Sequence, residues 1–294
     1  MLDGVMLLWF ILTGMSVLFV AIDIRTTPEA VVLKWGFVIL TLFTGPFGAF
    51  FYVLGCREPL PGTHEQYVSA TWRQVLGSTM HCAAGDGLGI IAGAAIGSLL
   101  ELSPAADIAL EYLLGFGFGW AFFQAYAMRD MADGNYRKSL EMTFIPEFFS
   151  MNVLMAGMLL VAKFWMPVVA GANSPFAPAF WFIMSLALLA GFVCTYPMNW
   201  WLVTRHIKHG MMTVRANPHS MAAMKIATAD AGAAGNKAGK HDMAAMGHGA
   251  HSDDAGEQHS GDDKPGRGQI FGVGALSTAI FALALVIVFA LGPG

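Results

Sequence analysis

Long apolar stretches separated by short polar breaks dominate the chain. They run over about 4–22, 31–55, 75–100, 108–128, 142–166, 178–203 and 269–291. Each exceeds the roughly 18 residues a helix needs to cross the hydrocarbon core of a bilayer. None alternates with the period of two expected of a barrel strand. Within lipid, a spanning segment satisfies its own backbone only as a helix. The pattern therefore predicts an all-α integral membrane protein of about seven transmembrane helices. Thr44-Gly45-Pro46 predicts a kink within the second run.

The runs divide the chain into two N-terminal helices (1–71), a four-helix core (72–212), a long loop (213–268) and a C-terminal helix (269–294). From Thr228 to Gly268 the loop is Ala, Gly, Asp, Lys and His with few large apolar side chains. Such a composition buries too little surface to offset ordering entropy, and it predicts disorder.

Composition agrees with a membrane class. The chain is 56% hydrophobic and 12% charged, where a soluble domain carries roughly 25% charge. The net charge of −4 comes with no basic arm, which argues against a nucleic-acid partner. Asp3 near the start, with no small-residue cleavage site after it, predicts that the first run is retained as a span rather than removed as a signal. Cys56, Cys82 and Cys194 form no CxxC pair and no even framework, so a disulfide scaffold is not expected. There is no phosphate-binding loop, dinucleotide fingerprint, His-Glu-x-x-His or nucleophile elbow, which excludes a nucleotide cofactor and an ATP-driven pump.

With seven spans, the loops on the N-terminal side hold Arg57, Arg73, Arg129, Arg137 and Lys138, and the opposite side holds Arg25, Lys34 and Lys163. Cytoplasmic loops carry the excess of Lys and Arg. The expectation is a cytoplasmic N-terminus and long loop, with the C-terminus outside.

The third run carries the densest chemistry. Gly85, Gly89, Gly93 and Gly97 recur every four residues and offer a smooth face for a close helix crossing. His81, Cys82 and Asp86 lie in the same run. Ionisable groups at membrane depth cost several kcal/mol unless paired, hydrated or ligated. Cys82 and Asp86, four apart, share a face, and His81 lies on the neighbouring one. A hydrogen-bonded packing trio and a ligand or proton site are both open readings.

In the fifth run Pro146 is expected in the first turn or so, where proline is tolerated. Glu147, Met151, Met155 and Met158 stack on one helix face, beside Asn152. In the sixth run Pro197 predicts a kink, and Cys194 and Met198 share a face. At roughly 1.5 Å per residue, His81, Cys82, Gln124, Glu147, Met151, Cys194 and Met198 reach one layer of the cytoplasmic half. Thiol, thioether and imidazole are ligands that soft Cu(I) selects. That makes His81, Cys82, Met151, Met155, Cys194 and Met198 candidate metal ligands. Asp86 and Glu147 would neutralise the ion or exchange a proton.

The whole stretch between the last two runs, about 204–268, adds His206, His209, His241, Met243, Met246, His248, His251 and His259. Imidazole and thioether in a flexible chain make an adaptable metal-collecting composition. A biased linker is the competing reading. Outside this loop only His64 and His81 remain, so a bis-histidine haem is not expected.

Several segments together resemble a known family: Met80-His81-Cys82 with the glycine ladder, GluTyrLeuLeuGlyPheGlyPheGly at 111–119, PheSerMetAsnValLeuMet at 149–155 and TyrProMetAsnTrpTrpLeu at 196–202. They resemble the bacterial membrane family called domain of unknown function 4396, over about 72–212. Members often carry the label copper oxidase, so the resemblance implies a bacterial inner-membrane protein with a copper-related role. Some members place a further Cys and a carboxylate in the third helix, where this chain has Asp86 and Ile90 nearby. An all-sulfur site there is therefore not implied, and His81 and Cys82 are the shared pair.

The sequence thus points to binding, sequestration or transport of a transition metal, copper first, in a lipid-embedded bundle that could self-associate. A metal-dependent membrane oxidoreductase and a metal-free assembly protein are the alternatives.

Overall fold

The computed structural model describes residues 2–60, 62–129, 132, 134–210 and 265–291. Among the described residues every regular element is helical: α1 (Leu2–Asp23), α2 (Val31–Thr44), α3 (Pro46–Gly55), α4 (His64–Val68), α5 (Thr71–Leu99), α6 (Pro104–Gly117), α7 (Tyr136–Trp165), α8 (Pro178–Thr204) and α9 (Arg267–Leu291). A π-helical segment, Phe118–Ala125, continues α6. Among the described residues six helices are long and apolar enough to cross a bilayer: α1, α5, α6 with its π extension, α7, α8 and α9. The chain is a multi-pass membrane protein.

The second apolar run does not cross. Gly45, at φ 57°, breaks it, and Pro46 starts a new helix. α3 then runs back along α2, and a Cβ on Gly48 would meet the Thr41 backbone at 2.6 Å. Both ends of this hairpin sit at the C-terminal end of α1. The Tyr52 hydroxyl donates to Asp23 Oδ2 at 2.7 Å, Arg57 Nε donates to the same oxygen at 2.9 Å, and the Cys56 thiol points to Glu29 Oε1 at 3.8 Å. Buried His64 and Glu29 close the base, Nε2 and Oε1 being 2.9 Å apart. The tip reaches Thr13 and Trp9 inside α1. The run 31–55 is a re-entrant hairpin, and the expected seventh span becomes a pair of half-helices.

This reversal changes the topology. The start of α1 and the end of α9 lie at the same end of the bundle, α1 through Trp9 against Phe182 near the start of α8. At the α9 end, Val288 and Phe289 line a cavity with Asp107 and Lys163. Seven spans would put these two helix ends on opposite sides.

Burial sorts the helices. The apolar stretches of α5, α7 and α8 are 67%, 72% and 61% buried, while α1, α6 and α9 are 17%, 22% and 17% buried and face outward as lipid-contacting helices do. Close approach depends on glycine. Cβ atoms on Gly85, Gly89, Gly93 and Gly97 would collide respectively with Phe123 and Gly119, with Leu114 and Gly115, with Glu111, and with Asp107. The ladder is the α5–α6 seam, as its spacing predicts. Gly157 and Gly191 do the same where α7 crosses α8.

α7 begins at Tyr136, behind an N-cap in which Asn135 Oδ1 accepts from the Lys138 N–H at 3.2 Å. Pro146 is therefore well inside α7 rather than in its first turn. It leaves the Met142 carbonyl without its helical donor.

Candidate metal centre in the bundle

One face of α5 carries Cys82 and Asp86, and the facing turn of α7 carries Glu147. One donor atom from each lies within 4.8 Å of the other two, and all three side chains are buried. Among the described residues no other group of three or more His, Cys, Asp or Glu side chains is so placed. The Cys82 thiol donates to Glu147 Oε2 at 3.2 Å.

The residue that completes the cluster is Lys208, which sequence reading missed. It follows α8 in a reversed turn. His206 takes φ 57°, its N–H donates to the Val203 carbonyl, and the Ile207 and Lys208 N–H groups both donate to the Leu202 carbonyl. This is the Schellman pattern, with histidine at the left-handed position that usually falls to glycine. The turn sends the Lys208 side chain back into the bundle, where it is fully buried. Its Nζ lies 2.6 Å from Cys82 Sγ, 3.2 Å from Glu147 Oε2, 3.0 Å from Ser150 Oγ and 3.2 Å from Asn199 Oδ1. Burial works against the ammonium, but the Cys82 sulfur and the Glu147 carboxylate outweigh it and hold Lys208 above its ordinary value. Asn199 Nδ2 extends the network to Thr79 Oγ1 at 3.1 Å.

Asp86 is less well served. Neither of its oxygens, nor Glu147 Oε1, accepts a hydrogen bond from an N–H or a hydroxyl. The acidic partner of Asp86 is Glu147 itself. Two carboxyl groups in such contact need a proton or a cation between them. Room for Asp86 comes from Gly119 in the π segment, because a Cβ there would strike Asp86 Oδ1. π turns in membrane helices expose backbone in this way and recur at functional sites.

The other expected ligands disperse. His81 Nε2 donates to the Phe123 carbonyl of the π segment at 3.0 Å, and its Nδ1 is buried without a partner. It sits beside the cluster on the adjacent face, as its position predicts. Met151 reaches Gly115 of α6, Met155 is buried in the main core, and Met158 packs on Gly191. Met198 joins a separate apolar cluster with Phe149, Val153 and Leu202. Cys194 is exposed on the outer face of α8 and cannot join Cys82. The expected set of His81, Cys82, Met151, Met155, Cys194 and Met198 does not converge on one point, because equal depth does not imply equal azimuth on the helix.

Gln124 is buried, with Oε1 unpartnered, and lines a cavity of about 180 Å³ beside the cluster. Met128, Met142, Pro146, Lys208 and the exposed His206 and His209 also line it. The expected loop ligands His241, Met243, Met246, His248, His251 and His259 lie outside the described residues. Asn152 is structural: it accepts from the Tyr112 hydroxyl at 2.8 Å and donates to Ser277 at 3.4 Å, tying α6 and α9 to α7.

No curated protein and no solved structure matches the chain. A family match covers residues 71–208, from the first residue of α5 to the buried lysine, and so includes Cys82, Asp86, Glu147 and Lys208. Over those residues the chain belongs to the family described as Domain of unknown function (DUF4396).

Proposed function

We propose that this protein binds a transition-metal ion inside the membrane bundle, at Cys82, Asp86 and Glu147, for sequestration or passage across the bilayer. The carrying observation is the convergence of three buried donor atoms within 4.8 Å, with both Asp86 oxygens and Glu147 Oε1 accepting from no N–H donor. One thiolate with two carboxylates suits a borderline divalent ion such as Zn(II) better than Cu(I). Copper remains a reading for the His- and Met-rich loop, whose thioethers and imidazoles supply the softer set.

Orientation belongs to the same proposal. With the hairpin re-entrant, Arg25, Lys34, Arg57, Arg73, Arg129, Arg137, Lys138, Arg205, Lys208 and Arg267 lie at one end, and Lys163 lies near the other. The positive end is cytoplasmic. The buried cluster then lies at the cytoplasmic end of the bundle in a bacterial inner membrane, where α8 finishes and α9 begins, and the start of α1 and the end of α9 lie outside.

Co(II) titration of the purified full chain tests the reading, because cobalt bound to a thiolate absorbs in the near ultraviolet and the loop contains no cysteine. The expected result is a thiolate band that Cys82→Ser abolishes and that Asp86→Asn and Glu147→Gln weaken. A network serving only to pack helices is the competing reading, favoured by the four contacts of Lys208, and it yields no such band.

A further inference from the structure

The ammonium of Lys208 stands where a metal ion shared by Cys82 and Glu147 would have to stand. Its Nζ is 2.6 Å from Sγ and 3.2 Å from Oε2, the donor and acceptor of the 3.2 Å thiol–carboxylate hydrogen bond. Two cations cannot share that space. A lysine built into a helix could not leave it, but Lys208 is on a reversed turn beyond α8, held through backbone bonds to the Leu202 and Val203 carbonyls. It also forms part of the wall between the cluster and the 180 Å³ cavity, whose other walls bring His206, His209, Met128, Met142 and Gln124.

The geometry points to Lys208 as a tethered counter-cation that an incoming metal ion must expel from the Cys82–Asp86–Glu147 donor set, the cavity beneath His206 and His209 serving as the metal's vestibule. The inference rests on the metal-binding reading above and adds its control. The vestibule offers imidazole nitrogens, thioether sulfurs and the unpartnered Gln124 oxygen, which hold a transition-metal ion loosely enough to pass it on. Charge then balances on exchange. A divalent ion enters, the Cys82 S–H bond breaks and a sulfur–metal bond forms. The thiol proton leaves to water, and the ammonium withdraws with its own charge. Two positive charges arrive and two depart, so the low-dielectric interior keeps its net charge. With no metal present, Lys208 keeps the buried Glu147 carboxylate from standing uncompensated.

The test uses the full chain in detergent with Co(II) as the probe. Lys208→Met keeps the apolar stem and removes the competing charge. The expected outcome is Co(II) binding at least ten-fold tighter than in the wild type, with a thiolate band lost in the Cys82→Ser, Lys208→Met double variant. Equal or weaker binding in Lys208→Met, with the band present in the wild type, overturns the counter-cation role while leaving the metal site standing. Absence of the band in both proteins overturns the metal site itself. Should Lys208→Met not fold, the wild type decides. An amine-reactive reagent with peptide mass spectrometry should find Lys208 protected without metal and labelled with saturating Co(II), whereas in Cys82→Ser it stays protected. Equal protection of wild-type Lys208 with and without bound Co(II) overturns the proposal.

Discussion

Two lysine–carboxylate clusters occupy opposite ends of the bundle, and they are built differently. At one end Lys163 contacts Asp107 at 2.6 Å and Glu111 at 3.4 Å, and all three side chains belong to through-going helices. The Lys163 side chain is 22% exposed beside a cavity of about 330 Å³. At the other end Lys208 and Glu147 are wholly buried, a thiol takes part, and the lysine comes from a turn rather than a helix. The first cluster joins two helices near water and has nothing to release. The second holds a buried charge on a turn that follows α8. Similar residue types make a brace in one case and, in the proposal above, an exchangeable site in the other, and the backbone that carries the lysine makes the difference.

The all-or-none test asks which cluster faces the cytoplasm. A periplasm-dependent reporter inserted in the 24–30 loop should be silent, and one fused after Gly294 should be active. Activity at both positions would restore seven spans, and activity in the 24–30 loop alone would invert the six-span bundle. Next in size is Glu147→Ala, which strands the buried Lys208 charge. Breaking a buried pair costs about 3–5 kcal/mol, so a large fall in thermal stability in detergent is expected. Lys163→Met at this partly exposed pair should cost about 1–2 kcal/mol, between the surface and buried cases, and leave the Co(II)–thiolate band unchanged. If the two substitutions cost the same, the contrast in burial carries no energetic weight.

Two glycines sharpen the comparison further. A Cβ on Gly119 strikes Asp86, and one on Gly97 strikes Asp107. Crowding of this kind typically costs about 1–3 kcal/mol. Gly119→Ala should weaken Co(II) binding by turning Asp86 away, and Gly97→Ala should leave it unaltered. The smallest effects belong to the dispersed sulfurs. Met151→Leu conserves volume and should cost below about 1.5 kcal/mol, and Cys194→Ser should alter neither stability nor metal binding. A loss of binding in either variant would bring the sulfur-rich site back.

Much of the candidate site was legible, and the misses have specific causes. Cys82 and Glu147 could be placed at one level, and Asp86 on the helix face of Cys82, because helix rise fixes depth and helix spacing fixes the shared face. Cys194 and Met198 could be placed at that level too, but depth says nothing of which way a helix is rotated about its axis. Lys208 reads in sequence as an ordinary cation beyond a helix end, since no glycine announces the left-handed turn at His206. A signal for the hairpin was present. Treating 31–55 as re-entrant gathers the basic residues of the short loops, Lys163 excepted, at one end, whereas a seventh span divides them.

The sequence by itself determined that the chain is helical and membrane-embedded, where its long helices lie, and that the α5 glycines form a seam. These follow from local rules: apolar length against bilayer thickness, and small side chains every four residues. Only the tertiary structure decided that the second run turns back at Gly45, and that Lys208 rather than a second cysteine meets Cys82. Both outcomes depend on which surfaces pack together, Gly48 on Thr41 in one case and the turn at Leu202 in the other. Hydrophobic length does not encode the direction a chain takes after it breaks, nor the rotation of one helix against the next.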